Sequence, residues 1–202
     1  MKKRRIGIMG GTFDPIHIGH LVIAEAVYEA YELEKVLFIP ASVPPHKPGI
    51  KVAPVLNRYV MAVLATAGHP AFSVSSIEMN RSGPSYSYDT VQALRQEMGE
   101  DCEFFFIVGS DAVKELATWN HIDELLSLCH FVAATRPGSS EAVDEVIRQF
   151  GKKGQEKIHH LSTPELEISA TDIRRRIQEG RSVRFILPES VEAYIRKEGL
   201  YR

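Results

Sequence analysis

The 202-residue sequence predicts an α/β fold: a Rossmann-like, doubly wound and mainly parallel sheet with helices on both faces. Short apolar runs typical of buried strands alternate with segments whose apolar residues recur at helical spacing. Glycine-containing or polar turns follow several of these runs, at the strand ends where parallel sheets bind ligands. Because no internal repeat or second domain is evident, we expect one domain over residues 1–202, with residues 164–202 as a small helical C-terminal part.

The predicted strands are short apolar runs, as buried parallel strands require. They cover residues 6–9, 35–40, 72–75, 102–108, 131–134 and 157–161. A proline-rich loop at residues 44–48 follows the second of them. Because proline fixes the backbone, this loop is predicted to be stiff and to hold His46 and Lys47 in place.

The predicted helices lie between and after the strands, where apolar residues recur every three or four positions. They cover residues 21–32, 54–67, 88–98, 111–117, 122–129, 141–150, 169–178 and 188–197. Ser87 is the predicted N-cap of the helix at 88–98, because a serine hydroxyl can accept a hydrogen bond from the first turn. The glycines and lysines of residues 151–154 predict a polar linker.

Composition is that of an ordinary globular protein, with 44% apolar and 25% charged residues. The net charge of −2 gives no electrostatic reason to expect a nucleic-acid or membrane partner. Two cysteines, Cys102 and Cys129, lie in apolar settings, so we expect reduced thiols and a cytoplasmic location. The basic residues 2–5 are not followed by a signal sequence, and no apolar run approaches the length of a membrane span.

The most informative stretch is residues 10–20, Gly-Gly-Thr-Phe-Asp-Pro-Ile-His-Ile-Gly-His. It follows the first predicted strand and leads into the first predicted helix. Backbone N–H groups and the positive end of a helix dipole therefore surround one small volume, in which a phosphate is the expected occupant. A plain tight turn is the alternative that a glycine pair after a strand leaves open.

The histidines of this stretch, His17 and His20, sharpen the prediction. Their spacing can bring both rings to one side of the helix start, and Gly19 leaves room for a phosphate. Imidazole near neutral pH can donate hydrogen bonds and carry positive charge, which would stabilise a leaving oxygen. A metal pair is the alternative, but no third ligand has zinc-like spacing nearby. The G-x-G-x-x-G fingerprint is missing, which argues against a dehydrogenase.

A second stretch, residues 168–174, reads Ile-Ser-Ala-Thr-Asp-Ile-Arg. Ser169 and Asp172 resemble a capping box flanked by a hydrophobic staple, which is a sufficient structural explanation for these two residues. It does not explain why Thr171 and Arg174 also lie in the first turn. Because a cation there opposes the helix dipole unless an anion offsets it, the stretch predicts a polyphosphate site.

Together these stretches resemble the nucleotidyltransferase superfamily marked by a His-x-Gly-His motif, here residues 17–20. The residues in front of that motif look like one branch, the bacterial nicotinate mononucleotide adenylyltransferases. Residues 168–174 resemble the second signature of that branch, in which serine usually takes the place of Ala170. The resemblance spans nearly the whole chain, since further blocks in the family's order are residues 44–47, 83–86, 109–111, 119 and 136–138.

The resemblance implies that the phosphate of nicotinate mononucleotide attacks the α-phosphorus of ATP, giving nicotinate adenine dinucleotide and pyrophosphate in NAD biosynthesis. It also implies Mg²⁺, held mainly through substrate phosphates and not by protein side chains. The implied catalytic residues are His17, His20, Lys47 and Arg174. The implied ATP-binding residues are Gly10, Gly11, Thr12, Phe13, Gly109, Asp111, Arg136, Ser169 and Thr171. The implied mononucleotide-binding residues are His46, Ser85, Tyr86 and Trp119.

Individual roles follow from the same resemblance. His20 is expected at the α-phosphate with His17 beside it, both as cations. Ser169, Thr171 and Arg174 are expected to hold the β- and γ-phosphates. The loop at residues 83–86 is expected to offer free backbone N–H groups to the nicotinate carboxylate.

For some of these residues a purely structural role is the alternative to a role in ligand binding. Asp111 is either a ribose ligand or an ordinary helix N-cap. Trp119, the only tryptophan, either stacks on the pyridine ring or belongs to the core. His159 and His160 have no motif around them and are interpreted as structural.

Other functions stay open beside this one. A transferase of the same superfamily could use nicotinamide mononucleotide or phosphopantetheine as acceptor. A non-catalytic module could sense NAD precursors, although the full set of implied catalytic residues argues against it. ATP and nicotinate mononucleotide are the expected partners, and a homo-oligomer is possible.

Overall fold

The computed structural model describes residues 3–44, 52–135, 140–164 and 166–202, without the side chains of residues 110 and 111. One six-stranded sheet forms its centre, and all its strands are parallel. The strands are β1 (Arg4–Gly11), β2 (Lys35–Pro40), β3 (Phe72–Val74), β4 (Cys102–Gly109), β5 (His130–Thr135) and β6 (Ile158–Ser162). The predicted fold class is confirmed.

The strand order is β3-β2-β1-β4-β5-β6, so the winding of the chain reverses between β1 and β4. Met9 pairs with Phe38 of β2 on one side and with Ile107 of β4 on the other. A crevice forms outside the carboxyl ends of the strands at such a reversal. The turns that follow β1 and β4 therefore border the same crevice.

Helices cover both faces of the sheet. In the described part of the chain they are α1 (Ile18–Ala30), α2 (Val55–Thr66), α3 (Ser87–Met98), α4 (Ser110–Lys114), α5 (Ile122–Leu128), α6 (Glu141–Gln149), α7 (Gly151–Lys157), α8 (Ala170–Gln178) and α9 (Glu189–Glu198), with a 3₁₀ turn at Leu116–Thr118. None of these helices combines the length and the apolar character needed to cross a membrane.

Two apolar clusters hold the layers together. Successive strand side chains point to opposite faces, so Phe104 and Phe106 belong to one cluster and Phe105 and Ile107 to the other. The first cluster packs against α3, α4, α5 and α6, and the second against α1, α2, α8 and α9. The sheet is therefore buried on both faces, which explains why its strands are continuously apolar.

The predicted linker at residues 151–154 is wrong, because these residues begin α7. Gly151, with φ of +55°, ends α6 in the left-handed conformation common after helices. Gly154 packs so closely on α6 that an added Cβ would lie 2.3 Å from the Ile147 carbonyl oxygen. The glycines therefore serve a tight contact between two helices.

The predicted N-cap of α3 is also wrong. Ser87 is the first helical residue, and Tyr86 occupies the cap position without a side-chain hydrogen bond. α1 begins earlier than predicted, at Ile18, because the side chain of His20 accepts a hydrogen bond from the His17 N–H and closes the first turn. The remaining predicted elements differ from the observed ones by a few residues at their ends.

A buried arginine joins the loops that follow β1 and β2. Arg58 of α2 is only 1% exposed. Its guanidinium donates to four backbone carbonyl oxygens, those of Thr12 at 2.7 Å, Ala41 at 2.7 Å, Ala53 at 2.9 Å and Ser42 at 3.3 Å. Burial lowers the pKa of Arg58, and the negative charge of Asp14 opposes that shift. The guanidinium thus fixes the spacing of the segments that border the crevice.

Replacing this arginine should destabilise the fold strongly. In Arg58→Leu, four carbonyl oxygens of partly buried segments lose their donor, and each one that stays buried and unpaired costs ~1–3 kcal/mol. We expect the free energy of unfolding, measured by urea denaturation, to fall by about 3 kcal/mol or more. The control is Arg148→Leu at an exposed position of α6. Losses of the same size in both variants would contradict this role.

Candidate active site

The crevice between β1 and β4 contains a cavity of about 740 Å³, a size typical of small-molecule sites. The turn after β1, the start of α1 and the segment after β4 line it. The lining includes nine of the predicted site residues: Gly10, Gly11, Thr12, His17, His20, Ser85, Tyr86, Gly109 and Trp119. The fold therefore brings residues from both halves of the sheet to one place.

Gly19 lies where the two predicted phosphate-binding stretches meet. A Cβ added there would lie 3.1 Å from Nδ1 of His17 and 3.9 Å from Cβ of Ile168. Ile168 is the first residue of the second stretch and also lines the cavity. Glycine is thus favoured at this position by the close approach of the His17 ring.

The rings of His17 and His20 lie against each other at the start of α1, with centroids 3.8 Å apart. Nδ1 of His20 accepts a hydrogen bond from the backbone N–H of His17 at 3.1 Å. A neutral His20 ring therefore carries its proton on Nε2, which leaves this N–H available to a ligand. Phe13 packs edge-on against His20 at 5.1 Å and supports the ring from the core.

Burial keeps both imidazoles neutral at pH 7. His17 is 8% exposed, and burial lowers its pKa to about 4. The pKa of His20 also lies well below its ordinary value, first because of burial and then because of repulsion from His17. Without a bound anion these histidines are therefore neutral hydrogen-bonding groups, and the expectation that they supply cations to bound phosphates stays a prediction.

The second stretch begins α8 beside this turn. Ser169 is the N-cap, and its Oγ accepts from the Asp172 N–H at 3.1 Å. The capping box is only half formed, because the Asp172 carboxylate accepts from Arg175 and Arg176. Helix capping therefore accounts for Ser169, as the capping-box interpretation predicted.

Arg174 extends from α8 to the loop after β1. Its Nη1 donates to the Asp14 carbonyl oxygen at 2.7 Å, and its Nη2 donates to Thr171 Oγ1 at 3.3 Å. These bonds use two of the roughly five N–H groups of a guanidinium, so others remain for an anion. Ser169, Thr171 and Arg174 lie beside the cavity and do not line it.

Comparison with known proteins identifies the family. A family model described as cytidylyltransferase-like matches residues 8–176. The chain belongs to the cytidylyltransferase-like family. Similar relatives come from Thermoanaerobacter sp., 49% identical over 100% of this chain and 96% of the relative, and from Moorella thermoacetica, 49% identical over 98% and 92%. Both are named probable nicotinate-nucleotide adenylyltransferase, so the predicted branch is confirmed.

A solved structure shares the fold of this cytidylyltransferase-like chain. It is the Plasmodium falciparum nicotinic acid mononucleotide adenylyltransferase complexed with NaAD. The two match with a TM-score of 0.80 over 98% of this chain and 97% of the Plasmodium chain, at 19% identity. At this identity the likeness supports the fold alone.

Trp119 packs on the core in this family member and also borders the cavity, while its stacking on a pyridine ring stays a prediction. The indole packs edge-on against Phe106 at 5.7 Å and Phe131 at 5.8 Å, on the first apolar cluster. It is also half-buried and lines the cavity. One part of the ring is therefore held by the core while another borders the ligand space.

Ser85 and Tyr86 line the cavity, but their backbone N–H groups are already used. The Ser85 N–H donates to the Val43 carbonyl oxygen at 3.0 Å, and the Tyr86 N–H bonds within its own turn at 3.1 Å. Ser85 Oγ accepts from the N–H groups of Ser42 and Val43 at 2.9 and 3.3 Å. The expectation of free donors at residues 85 and 86 is therefore wrong. The first turn of α3, which begins at Ser87 on the wall of the cavity, offers N–H groups without an intrahelical partner.

Glu78 is a residue that the sequence analysis missed. It is 7% exposed and lines the cavity. One carboxylate oxygen, Oε1, accepts from the Thr90 hydroxyl at 2.7 Å, while Oε2 is buried without a hydrogen-bond partner among the described residues. No motif surrounds this glutamate, so only its position in the fold reveals an acceptor for a bound molecule.

Several predicted site residues cannot be placed in the cavity. His46, Lys47 and Arg136 lie outside the described residues, as does the side chain of Asp111. Phe13 is 2% exposed and belongs to the second apolar cluster. Over the described ranges, no group of three or more His, Cys, Asp or Glu side chains could hold a metal ion.

Acid should destabilise this fold through His17. Because its pKa is about 4 when folded and 6.5 ordinarily, the unfolded chain binds the proton more tightly. The stability contributed by its burial is present above about pH 6.5 and is lost as the pH falls toward 4. At pH 5 we expect a loss of ~2 kcal/mol that His17→Asn does not show, measured by urea unfolding at pH 7 and pH 5.

The matched control is His121→Asn. His121 is exposed and has φ of +51°, a conformation that asparagine also adopts. Because the His121–Glu124 pair is exposed and contributes little, this variant should still show the loss of ~2 kcal/mol at pH 5. Equal losses in the wild type and in His17→Asn would show that the His17 ring is not held neutral by the fold.

Proposed function

We propose that this chain is an adenylyltransferase that joins nicotinate mononucleotide and ATP to give nicotinate adenine dinucleotide and pyrophosphate. The carrying observation is the His-x-Gly-His turn at the carboxyl end of β1, which meets the second stretch at Ile168 and borders the 740 Å³ cavity. The names of the relatives support the same reaction. One nucleotidyltransferase domain spans residues 1–202, with residues 164–202 as its C-terminal helical part.

The chemistry needs positioning and charge stabilisation more than proton transfer. The phosphate of the mononucleotide attacks the α-phosphorus of ATP in line, and pyrophosphate leaves. Nε2–H of His20 donates to an α-phosphate oxygen, where negative charge grows in the transition state. His17 serves the adjoining phosphate. Because a phosphate favours the protonated form of imidazole, both rings become better donors as the substrates bind.

The β- and γ-phosphates bind at the start of α8. Its first-turn N–H groups, the hydroxyl of Thr171 and the remaining N–H groups of Arg174 provide donors and positive charge there. Lys47 adds a second cation. If Mg²⁺ is bound, phosphate oxygens and water would hold it, and it would neutralise part of the phosphate charge. The described acidic groups form no cluster that would replace those ligands.

The acceptor occupies the side of the cavity bordered by α3. The N–H groups at the start of α3, with the positive end of its dipole, receive the nicotinate carboxylate. The indole of Trp119 stacks on the pyridine ring, and Oε2 of Glu78 accepts from a ribose hydroxyl. Asp111 and Arg136 remain proposed contacts of the adenosine part.

The proposed setting is the cytoplasm, in agreement with two free and buried thiols, Cys102 and Cys129. ATP and the mononucleotide are the proposed partners, with neither nucleic acid nor membrane. A homo-oligomer is compatible with this proposal.

The test is pyrophosphate release with ATP and a panel of acceptors: nicotinate mononucleotide, nicotinamide mononucleotide and phosphopantetheine. Release that depends on nicotinate mononucleotide supports the proposal. Release with a different acceptor alone assigns the chain to another transferase of the superfamily. Nucleotide binding without any release assigns it a sensing role.

Loss of the His20 ring should affect turnover more than folding. His20→Ala removes the Nε2–H donor at the reacting phosphate, and loss of one such donor typically lowers kcat by about a hundredfold or more. Steady-state pyrophosphate release measures the effect. The matched control is His160→Ala on β6, an exposed histidine that does not line the cavity. Near-normal turnover in folded His20→Ala would remove this residue from the chemistry.

The acid should be preferred over the amide. A carboxylate can accept from N–H donors with both oxygens, whereas the NH₂ of an amide leaves a donor unpaired, at ~1–3 kcal/mol for each buried group. We expect kcat/KM for nicotinate mononucleotide to exceed that for the amide by about a hundredfold. Equal values or a preference for the amide would overturn the acceptor assignment.

The variant Glu78→Gln distinguishes whether the Glu78 carboxylate contacts the ribose or the pyridine ring of the mononucleotide. If Oε2 meets a ribose hydroxyl, the variant lowers kcat/KM for both mononucleotides by the same factor. If it faces the substituent of the pyridine ring, loss of its charge shifts the ratio between acid and amide. The Thr90 hydroxyl can still donate to the glutamine, which limits the change to the free oxygen.

A further inference from the structure

Asp14, in the turn after β1, connects four separate parts of the chain. It is 3% exposed. Its Oδ1 accepts from the Ala53 N–H at 3.1 Å and from the Tyr201 hydroxyl at 2.7 Å. Its Oδ2 lies 3.7 Å from Nη1 of Arg174, which donates to the Asp14 carbonyl oxygen at 2.7 Å. One buried carboxylate therefore faces both the hydroxyl of Tyr201 and the guanidinium of Arg174.

The backbone conformation around Tyr201 places its hydroxyl against Asp14. Gly199 ends α9 in the left-handed conformation, and the Leu200 N–H closes the turn on the Ile195 carbonyl oxygen at 3.1 Å. Tyr201 has φ of +64°, which is unfavourable for a bulky residue and persists only where the surroundings enforce it. Burial, and next the hydrogen bond to Asp14, raise the pKa of Tyr201, so the hydroxyl remains a donor.

We propose that Tyr201 is a positioning residue for Arg174, acting through Asp14, and that it sets the affinity of the enzyme for the polyphosphate of ATP. This inference rests on the proposed function, which gives Arg174 that polyphosphate. With Oδ1 engaged by Tyr201 and Ala53, the carboxylate holds Nη1 of Arg174 at a long ion-pair distance.

Removing the hydroxyl of Tyr201 should favour a closer pairing of the Arg174 guanidinium with the Asp14 carboxylate. Oδ1 then retains one donor, and the buried carboxylate needs another to offset the cost of burying its charge. Arg174 is the adjacent side chain with spare N–H groups, and a two-pronged pair with Asp14 would satisfy the carboxylate. That pair would draw Arg174 away from the phosphates. The loss should therefore fall on ATP and not on the mononucleotide.

The experiment compares Tyr201→Phe with Tyr194→Phe. Tyr194 also lies in the α9 region and its hydroxyl accepts from Asn57 of α2 at 3.1 Å, but it makes no contact with Asp14 among the described hydrogen bonds. We expect Tyr201→Phe to raise the KM for ATP about five- to tenfold, the scale of one displaced hydrogen bond, and to leave the KM for nicotinate mononucleotide unchanged. Tyr194→Phe should change neither, and urea unfolding checks both variants for folding.

A double-mutant cycle with Arg174→Ala shows whether the effect passes through the guanidinium. Arg174→Ala should itself raise the KM for ATP about tenfold or more, as loss of a charged donor predicts. In that background Tyr201→Phe should add nothing, because the group it positions is gone. Calorimetric titration with ATP alone gives the same comparison without turnover.

The outcomes test the positioning role of Tyr201 separately from the binding of polyphosphate by Arg174. A Tyr201→Phe effect that is equal for both substrates, or that persists in the Arg174→Ala background, overturns the positioning role while Arg174 keeps its function. Stability loss without a change in the affinity for ATP also overturns it. If Arg174→Ala leaves the affinity for ATP unchanged, the polyphosphate assignment fails, and with it the reason for the Tyr201 effect.

Discussion

The guanidinium of Arg58 holds together the chain segments that shape the cavity. It donates to carbonyl oxygens after β1, after β2 and before α2, and its own side chain is 1% exposed. Asp14 supplies the nearby negative charge that makes such burial tolerable. The same carboxylate accepts a hydrogen bond from Tyr201 and faces Arg174. The turn after β1, the start of α8 and the end of the described chain therefore contact one buried negative charge.

The site divides its work between neutral and charged groups. His17 and His20 are packed ring to ring in a buried setting where a positive charge is unfavourable, whereas the guanidinium of Arg174 lies near Asp14 beside the cavity. Neutral donors can lie deep in the protein without a counterion, while a guanidinium needs acceptors such as the Asp14 carbonyl. Depth in the protein therefore separates the neutral imidazoles from the guanidinium.

Local patterns were sufficient to predict the strands, most helices and the two stretches that meet at the cavity, because these depend on neighbours along the chain. The pairings that tune the site could not be predicted, since Arg174 and Asp14 are 160 positions apart and Tyr201 and Asp14 are 187 apart. Glycine was misread at residues 151–154, where Gly154 serves helix contact. Glu78 carries no local signal, and only packing places its carboxylate at the cavity.

Ser85 has a consequence for how this enzyme can change its substrate. Three hydrogen bonds join it to Ser42 and Val43, two through its hydroxyl and one through its N–H. The wall formed by the end of the β2 loop and the start of α3 therefore keeps its shape through backbone groups and one small side chain. Tyr86 lines the cavity on the same wall, and its side chain takes no part in these three hydrogen bonds. Exchange of such a side chain would alter the shape of the cavity while the backbone that frames it stays held by Ser85.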